Sequence, residues 1–201
     1  MFRKQVDEIL TQLQSWPKQK WVRIVVIQNH LGQLSGLTGN SNSLTNSIDR
    51  NFYLTIRNSA QLVITGANSI RVEDPPPPQS RIWIPTYSGK ISADAKVFKN
   101  GNAWVLGKEL KNNLPTILLT QTTPDAIIRR AQLEKLNHLL IDGGINLIQQ
   151  FLSAKLVDEA IVTVVDKPGT GELLHRSGFG LNLCRQVKFA DVMFQQWLKQ
   201  E

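Results

Sequence analysis

Residues 141–147 read IDGGINL, and this short stretch decides the class of fold. It ends an apolar run of strand length, HLLID at 138–142, and opens a segment whose apolar residues have helical spacing: Leu147, Ile148, Phe151 and Leu152. A strand that passes through glycine into a helix is typical of α/β proteins. The helix N-terminus at such a turn can bind an anion through its backbone N–H groups. The glycines also fit a tight turn with positive φ, and the spacing leaves both interpretations open.

A second stretch has the same shape. Residues 61–78 read QLVITGANSIRVEDPPPP, in which the buried strand LVIT (62–65) gives way to small residues and then to charged ones. Taken alone, this pattern favours a strand followed by a surface loop. Arg71 could bind a phosphate there, or it could pair with Glu73 or Asp74 on the surface. The four prolines predict a stiff segment at the end of the loop.

Strands and helices alternate along most of the chain. Strands are predicted at 21–28, 62–65, 81–85, 104–106, 116–120, 138–142 and 160–165, and helices at 46–59, 124–136 and after residue 144. Residues 29–45 are predicted to be a loop, because Gly, Ser, Thr and Asn dominate them. Thr45 or Ser47 is predicted to cap the helix that follows. The sequence therefore predicts an α/β fold with a mainly parallel sheet.

Both ends of the chain depart from this alternation. Apolar residues at helical spacing between 3 and 15 predict a helix that stops at Trp16–Pro17. The tail predicts an antiparallel hairpin whose strands lie on either side of Ala190–Asp191. We interpret residues 1–20 as an N-terminal helical extension and residues 21–201 as a single α/β domain.

Composition narrows the functional classes. Hydrophobic residues make up 41% and charged residues 19% of the 201, as in soluble globular proteins. No apolar run approaches the roughly 20 residues that span a bilayer, and charges interrupt the N-terminus where a secretory signal would be apolar. The sequence thus predicts a cytoplasmic protein without a membrane partner.

The formal net charge of +7 favours anionic partners. The 23 Lys and Arg form no run of five and do not cluster with aromatic residues, so a small phosphorylated ligand is favoured over nucleic acid. Cys184 is the single cysteine, which excludes an internal disulfide, and it is predicted to be a core thiol. No metal site is predicted. Gly169 and Gly171 begin a dinucleotide-binding pattern whose third glycine is missing.

Six segments in order resemble the reductase domain of riboflavin biosynthesis, the C-terminal half of a bifunctional deaminase-reductase. That family shows S-L-D-G after a strand, then G-x-S, L-R, G-x-x-T-v-x-x-D-x-P, v-E-G-G-x-x-L and a-G-L-V-D-E. The corresponding segments here are NHLG at 29–32, GNS at 39–41, TIR at 55–57, GANSIRVEDP at 66–75, DGGINL at 142–147 and KLVDE at 155–159.

The resemblance implies a dihydrofolate-reductase-like three-layer α/β/α fold and an NADPH-dependent reduction. In the family, the ribose of a 5-amino-6-(5-phosphoribosylamino)pyrimidine is reduced to the ribityl form. The resemblance also implies a homodimer. It places the substrate at Ser41, Arg57 and Asp142, with Arg57 as a cation for the phosphate or a polar edge, but assigns no catalytic residue. It places NADPH at Gly66, Ser69, Glu73, Thr86, Gly143, Gly144, Ile145, Asn146 and Leu147.

The sequence also departs from the family. Leu31 occupies the aspartate position of S-L-D-G, and Asn29 replaces its serine. Glu73 and Asp142 are each the other acidic residue from the one expected, and the zinc motifs of the deaminase half are missing. Two alternatives therefore stand beside the reductase: a nucleotide-binding homologue without turnover, and a reductase of another small substrate. The choice between NADPH and NADH is open, and a nucleic-acid-binding module is the least favoured hypothesis.

Overall fold

A computed structural model describes residues 2–77, 79–86, 88–109, 113–174 and 180–200. The chain divides into two compact units, residues 1–57 with 157–201, and residues 58–156. The single domain over residues 21–201 stays a prediction. Pro78, the last of the four prolines, lies outside the described residues.

The helices and strands follow one another in nearly the predicted order. They are α1 (Phe2–Gln14), β1 (Trp21–Asn29), β2 (Gln33–Gly36), α2 (Ser47–Ser59), β3 (Leu62–Ile64), α3 (Ala67–Glu73), β4 (Arg81–Pro85), β5 (Ala103–Gly107), β6 (Thr116–Leu118), α4 (Pro124–Leu133), β7 (His138–Ile141), α5 (Ile145–Ser153), β8 (Glu159–Val165), β9 (Gly169–Leu173), β10 (Leu181–Phe189) and β11 (Val192–Lys199). In the described part of the chain, no helix combines the length and the apolar character needed to cross a membrane.

The unit of residues 58–156 contains parallel strands in the order β7, β3, β4, β5, β6. Every residue of β3 is buried, as expected for a strand whose two faces are both covered. Thr123 caps α4 by accepting a hydrogen bond from the Ala126 N–H, and Pro124 is the first helical residue, as predicted.

The other unit pairs β1 with β8 in parallel and continues through β11 to β10 in antiparallel fashion. The hairpin of β10 and β11 turns at Ala190, which has a φ of 55°, and Asp191. The α/β class, the mainly parallel strands and the C-terminal hairpin are confirmed.

A buried ion pair fixes α1 to this unit. The Nε of Arg23 lies 2.7 Å from Oε2 of Glu159, and the two side chains are 2% and 1% exposed. Glu159 also accepts hydrogen bonds from the side chains of Trp21 and Gln196, each at 2.7 Å. The remaining guanidinium nitrogens of Arg23 donate to the carbonyls at the C-terminal end of α1, including that of Ser15 at 2.6 Å. One cation therefore satisfies both a buried carboxylate and a helix end.

Trp16 covers the outer face of this cluster. The Arg23 guanidinium carbon lies 4.3 Å from the centre of the Trp16 ring, within the range of a cation–π interaction. Desolvation by burial lowers the pKa of the Arg23 guanidinium, and Glu159 opposes this by favouring the charged form. Leu13 of α1 is completely buried.

Three local predictions are wrong. Residues 29–45 contain β2, which pairs with β9, because backbone pairing across the chain overrides the polar composition. Neither Thr45 nor Ser47 caps α2: the side-chain oxygen of Asn46 accepts from the N–H of Asp49 at 2.9 Å. Residues 67–73 form α3 and not a loop.

Cys184 is exposed, so its prediction as a core thiol is wrong as well. The pairing of Leu183 with Trp197 and of Arg185 with Gln196 leaves Cys184 as the extra residue of a β-bulge. A bulge interrupts the alternation of the two faces, and β10 turns five consecutive side chains to solvent. The apolar neighbours of Cys184 in sequence therefore do not bury it.

Asp74 ends α3 in a left-handed conformation, with a φ of 40°. Its carboxylate accepts a hydrogen bond from the Lys96 N–H at 2.9 Å and pairs with the Lys96 ammonium at 3.1 Å. The backbone hydrogen bond, followed by the side-chain one, lowers the pKa of Asp74 below its ordinary value of 3.8. Asp74 thus joins the end of α3 to the segment after β4.

We expect Arg23→Met to lower the free energy of unfolding by about 3–5 kcal/mol, because Glu159 would be left as a buried charge without its charged partner. Urea denaturation measures the loss. Arg50→Met, at an exposed position of α2 in the same unit, is the control and should change the value by about 0.5 kcal/mol or less. Equal losses in the two variants would contradict the role of the ion pair.

We expect Asp74→Asn to be less stable than the wild type near neutral pH and to approach it in acid. A carboxylate whose pKa is lowered by folding stabilises the fold above its unfolded pKa, near 3.8, and loses this contribution as the pH falls through the folded pKa. Denaturation curves from neutral pH to acid measure the difference. Asn also tolerates the left-handed conformation. Lys96→Gln keeps the backbone hydrogen bond and should retain part of the pH dependence; a difference independent of pH would argue against the interaction.

Candidate functional site

The carboxyl ends of three neighbouring parallel strands meet at one edge of the unit of residues 58–156. β3 lies between β7 and β4, with Ile64 in register with Ile141 on one side and with Trp83 on the other. Gly66 and α3 follow β3, Thr86 follows β4, and Asp142 and α5 follow β7. Ligands of open α/β sheets bind at such an edge.

The turns after β3 and β7 touch. A Cβ added to Gly143 would lie 3.1 Å from the backbone nitrogen of Gly66 and 2.8 Å from Cδ2 of Leu147. The Asp142 N–H donates to the carbonyl of Ile64 at 2.9 Å and ties the turns together. Close packing therefore favours glycine at position 143. The alternative of a tight turn with positive φ is wrong here, since φ of Gly144 is −68° and Gly143 is not among the glycines with positive φ.

Each turn ends in a glycine that is the N-cap of the next helix and has no protein atom where a Cβ would lie. Gly66 precedes α3 and Gly144 precedes α5, and neither helix has a side-chain hydrogen bond at its cap. A Cβ added to either glycine would meet nothing within 4 Å. Among the described residues, the N–H groups of Ile145 and Asn146 have no hydrogen-bond partner, whereas the Leu147 N–H donates to the Gly144 carbonyl at 3.1 Å. Gly143 packs the two turns together, and Gly66 and Gly144 leave room for a ligand.

The side chains at this edge are polar. Ser69 and Glu73 are four residues apart on α3 and so share a face of the helix, while Ala67 and Ile70 are buried. The Thr86 hydroxyl accepts a hydrogen bond from the Gly89 N–H at 3.1 Å and orders the turn after β4. The nine residues that the resemblance assigns to the cofactor thus all follow β3, β4 or β7.

The predicted substrate residues do not all lie in this unit. Asp142 follows β7, half-buried, whereas Ser41 and Arg57 belong to the other unit. Ser41 starts a short 3₁₀ turn that Asn40 caps, and its carbonyl accepts from the N–H of Leu44 at 3.0 Å. Arg57 lies in the last turn of α2 and is only 7% exposed.

Asn29 has a structural role that the sequence did not reveal. Its side-chain oxygen accepts from the N–H groups of Leu31 at 3.1 Å and Gln33 at 3.0 Å, and its amide nitrogen donates to the Gln33 side chain at 2.8 Å. This Asx turn holds Leu31 at the surface, 61% exposed. An Asn at the end of a buried strand was the signal for such a turn.

The first glycine of the incomplete dinucleotide-binding pattern, Gly169, has a packing role. A Cβ there would lie 2.8 Å from the Asn29 amide nitrogen and 2.9 Å from the carbonyl oxygen of Ser35. The glycine thus allows β9 to pair closely with β2 and has no part in the strand-to-helix turns described above. Nη1 of Arg71 donates to the Lys90 carbonyl at 3.2 Å, and the phosphate-binding role of Arg71 stays a prediction.

No three His, Cys, Asp or Glu side chains in the described ranges come together as a metal site would require. The edge described above presents backbone N–H groups, glycines and polar side chains. These groups suit a phosphate-containing ligand with hydroxyl groups.

Solved structures with the same fold include a diaminohydroxyphosphoribosylaminopyrimidine deaminase/5-amino-6-(5-phosphoribosylamino)uracil reductase from Thermotoga maritima, with a TM-score of 0.76 and 16% identity over 91% of this chain. This chain spans 57% of that protein's length. A pyrimidine reductase-like protein from Corynebacterium diphtheriae has a TM-score of 0.76 and 16% identity, with 98% of this chain and 99% of that chain covered.

The riboflavin biosynthesis reductase of Saccharomyces cerevisiae has a TM-score of 0.68 and 14% identity, with 98% of each chain covered. No curated protein matches the chain. The RibD C-terminal domain family matches residues 20–193, which is nearly the whole sequence. The chain therefore belongs to the RibD C-terminal domain family, with its dihydrofolate-reductase-like α/β fold.

Proposed function

We propose that the protein is an NADPH-dependent reductase that converts the ribose of a 5-amino-6-(5-phosphoribosylamino)pyrimidine to the ribityl form. The observation that carries the proposal is the pair of touching strand-to-helix turns with open glycine N-caps at Gly66 and Gly144. Family membership supports the same reaction class. Pairing of two copies, which the resemblance implies, belongs to the same proposal and can be tested by analytical ultracentrifugation.

The cofactor fits the residues present at this edge. The N–H groups of Ile145 and Asn146, at the positive end of the α5 dipole, would hold its phosphates. Ser69, Glu73 and Thr86 would contact its sugar and base portions through hydroxyl and carboxylate groups. When bound, the nicotinamide supplies the reducing equivalent, and the chain supplies position and electrostatics.

The substrate side of the proposal uses Ser41, Arg57 and Asp142. A guanidinium such as that of Arg57 binds a phosphate in forked fashion, and the Asp142 carboxylate can accept hydrogen bonds from amino or hydroxyl groups. The chain offers no aspartate at position 31, where the family has one. Reduction of a Schiff base adds a hydride to carbon and a proton to nitrogen. If the Schiff base is already protonated, hydride addition completes the step and no proton is needed from position 31.

Leu31 favours a second candidate, a reductase of a different small substrate. An apolar side chain that is 61% exposed beside a strand end would contact an apolar group of a substrate and could not orient a polar one. Leu31→Asp separates the two candidates. Faster turnover of the phosphoribosylamino-pyrimidine in this variant would show that the wild-type position has been adapted to another substrate.

We expect two adjacent glycines to respond differently to substitution. Gly144→Ala should leave the free energy of unfolding within about 1 kcal/mol of wild type, because the added Cβ meets no protein atom, but should weaken NADPH binding about tenfold by keeping the phosphate from the N–H groups. Gly143→Ala should lower the free energy of unfolding by about 1–3 kcal/mol, because its Cβ presses on Gly66 and Leu147.

NADPH fluorescence titration and urea denaturation measure the two effects, with NADH as the parallel ligand. Absence of NADPH binding to the wild type up to millimolar concentrations would refute the proposed cofactor. Unchanged NADPH affinity in Gly144→Ala would show that the phosphates of NADPH bind to another part of the chain.

We expect turnover of 5-amino-6-(5-phosphoribosylamino)uracil with loss of NADPH absorbance, and a raised KM in Arg57→Gln because a phosphate contact is removed. Arg50→Gln makes the same charge change on the exposed part of the same helix and is the control. Thermal melting checks that Arg57→Gln, which alters a buried side chain, remains folded. A KM equal to that of the wild type in a folded Arg57→Gln variant would disprove the phosphate role.

A further inference from the structure

A pocket in the unit of residues 58–156 is lined by residues other than those of the strand-to-helix turns. It has a volume of about 220 Å³ and is lined by Arg81, Trp83, Trp104, Ile117, Arg130 and Glu134. Trp83 is in register with Trp104. Leu106, two residues after Trp104 and therefore on the same face of β5, is in register with Ile117. Trp83, Trp104 and Ile117 thus share one face of the sheet. The α4 helix contributes Arg130 and is followed by Glu134. Two indole rings and an isoleucine thus form an apolar wall next to three charged side chains.

Trp83 has a polar group without a partner. Its side chain is completely buried, and within the described ranges its Nε1–H has no hydrogen-bond acceptor. A buried donor left without an acceptor costs free energy, and tryptophan normally finds one when it is buried. Because Trp83 lines the pocket, the NMR signal of this N–H is sensitive to a ligand bound there.

The charged residues of the pocket carry one net positive charge. Nη1 of Arg81 lies 2.7 Å from Oε2 of Glu134, and Nη2 of Arg130 lies 2.8 Å from Oε1 of the same carboxylate. Two guanidinium groups therefore share a single carboxylate. Both arginine side chains are partly exposed, at 47% and 39%, so some of their N–H groups can reach a ligand.

We propose that this pocket binds a small aromatic carboxylate. The indole wall matches a flat ring, and the net positive charge of two guanidinium groups and one carboxylate matches a monoanion. The volume lies below the roughly 300–1,000 Å³ of pockets for drug-sized ligands, which limits the occupant to about one ring. The proposal rests on residues that have no part in the proposed reductase site.

Sodium benzoate is the probe, and the indole N–H signals of the five tryptophans in a ¹H–¹⁵N NMR spectrum are the readout. Trp83→Phe and Trp104→Phe assign the two relevant signals. We expect benzoate to shift both signals saturably in the millimolar range and benzylamine, a cation of similar size, to leave them in place. Equal shifts with benzylamine, or benzoate shifts confined to other tryptophans, would overturn the proposal.

Charge variants make the test quantitative. Glu134→Gln raises the net charge of the pocket and should tighten benzoate binding about tenfold, whereas Arg130→Gln should weaken it by a similar factor. Arg129→Gln changes the same charge on the same helix outside the six lining residues, and should leave the affinity within about twofold. If Arg129→Gln and Arg130→Gln weaken binding equally, benzoate responds only to the overall charge and the specific site is refuted.

Discussion

The contact between the turns after β3 and β7 constrains everything at the candidate site. Two neighbouring parallel strands that end in register bring the loops that follow them within van der Waals distance, and a Cβ at position 143 would lie only 3.1 Å from the backbone nitrogen of Gly66. This packing brings the start of α3 beside the start of α5, since each helix begins within four residues of its strand's end. Ser69, Glu73 and Asn146, which the resemblance assigns to the cofactor, lie on the two helices that this approach of backbone to backbone brings together.

The sequence was sufficient for the order of the strands and helices because hydrophobic periodicity determines which segments are buried. It failed at residues 33–36, which form a strand because they pair with a distant segment, and at residues 67–73, which form a helix of only two turns. In both places the local composition resembles that of a loop. The grouping of Gly66, Ser69 and Thr86 near Gly144 came only from the family resemblance, because sequence spacing does not show which strands are neighbours. The capping role of Asn46 and the Asx turn of Asn29 depend on individual hydrogen bonds, which composition does not predict.

The motifs that reveal the family divide into two physical kinds. In KLVDE, Glu159 neutralises Arg23 in the interior and Asp158 accepts a hydrogen bond from the N–H of Val22 at 2.8 Å, so the motif stabilises a parallel strand pair. In DGGINL, by contrast, one glycine packs and the next leaves open space. A family match that rests on a stabilising motif such as KLVDE supports the fold. Only a motif that leaves space for a ligand, such as DGGINL, bears on ligand binding.

The bulge at Cys184 has a consequence for association between molecules. β10 ends the strand order of its unit, and an outermost strand with free N–H and C=O groups invites pairing with another chain. Here the extra residue breaks the regular ladder, and the charged side chains of Arg185 and Lys188 are exposed along the strand. The side chain of Arg185 also donates to Gln12 of α1 at 2.6 Å, so α1 contacts the same strand. Continuation of the sheet into a neighbouring molecule, the usual first step of β-aggregation, is disfavoured along this border.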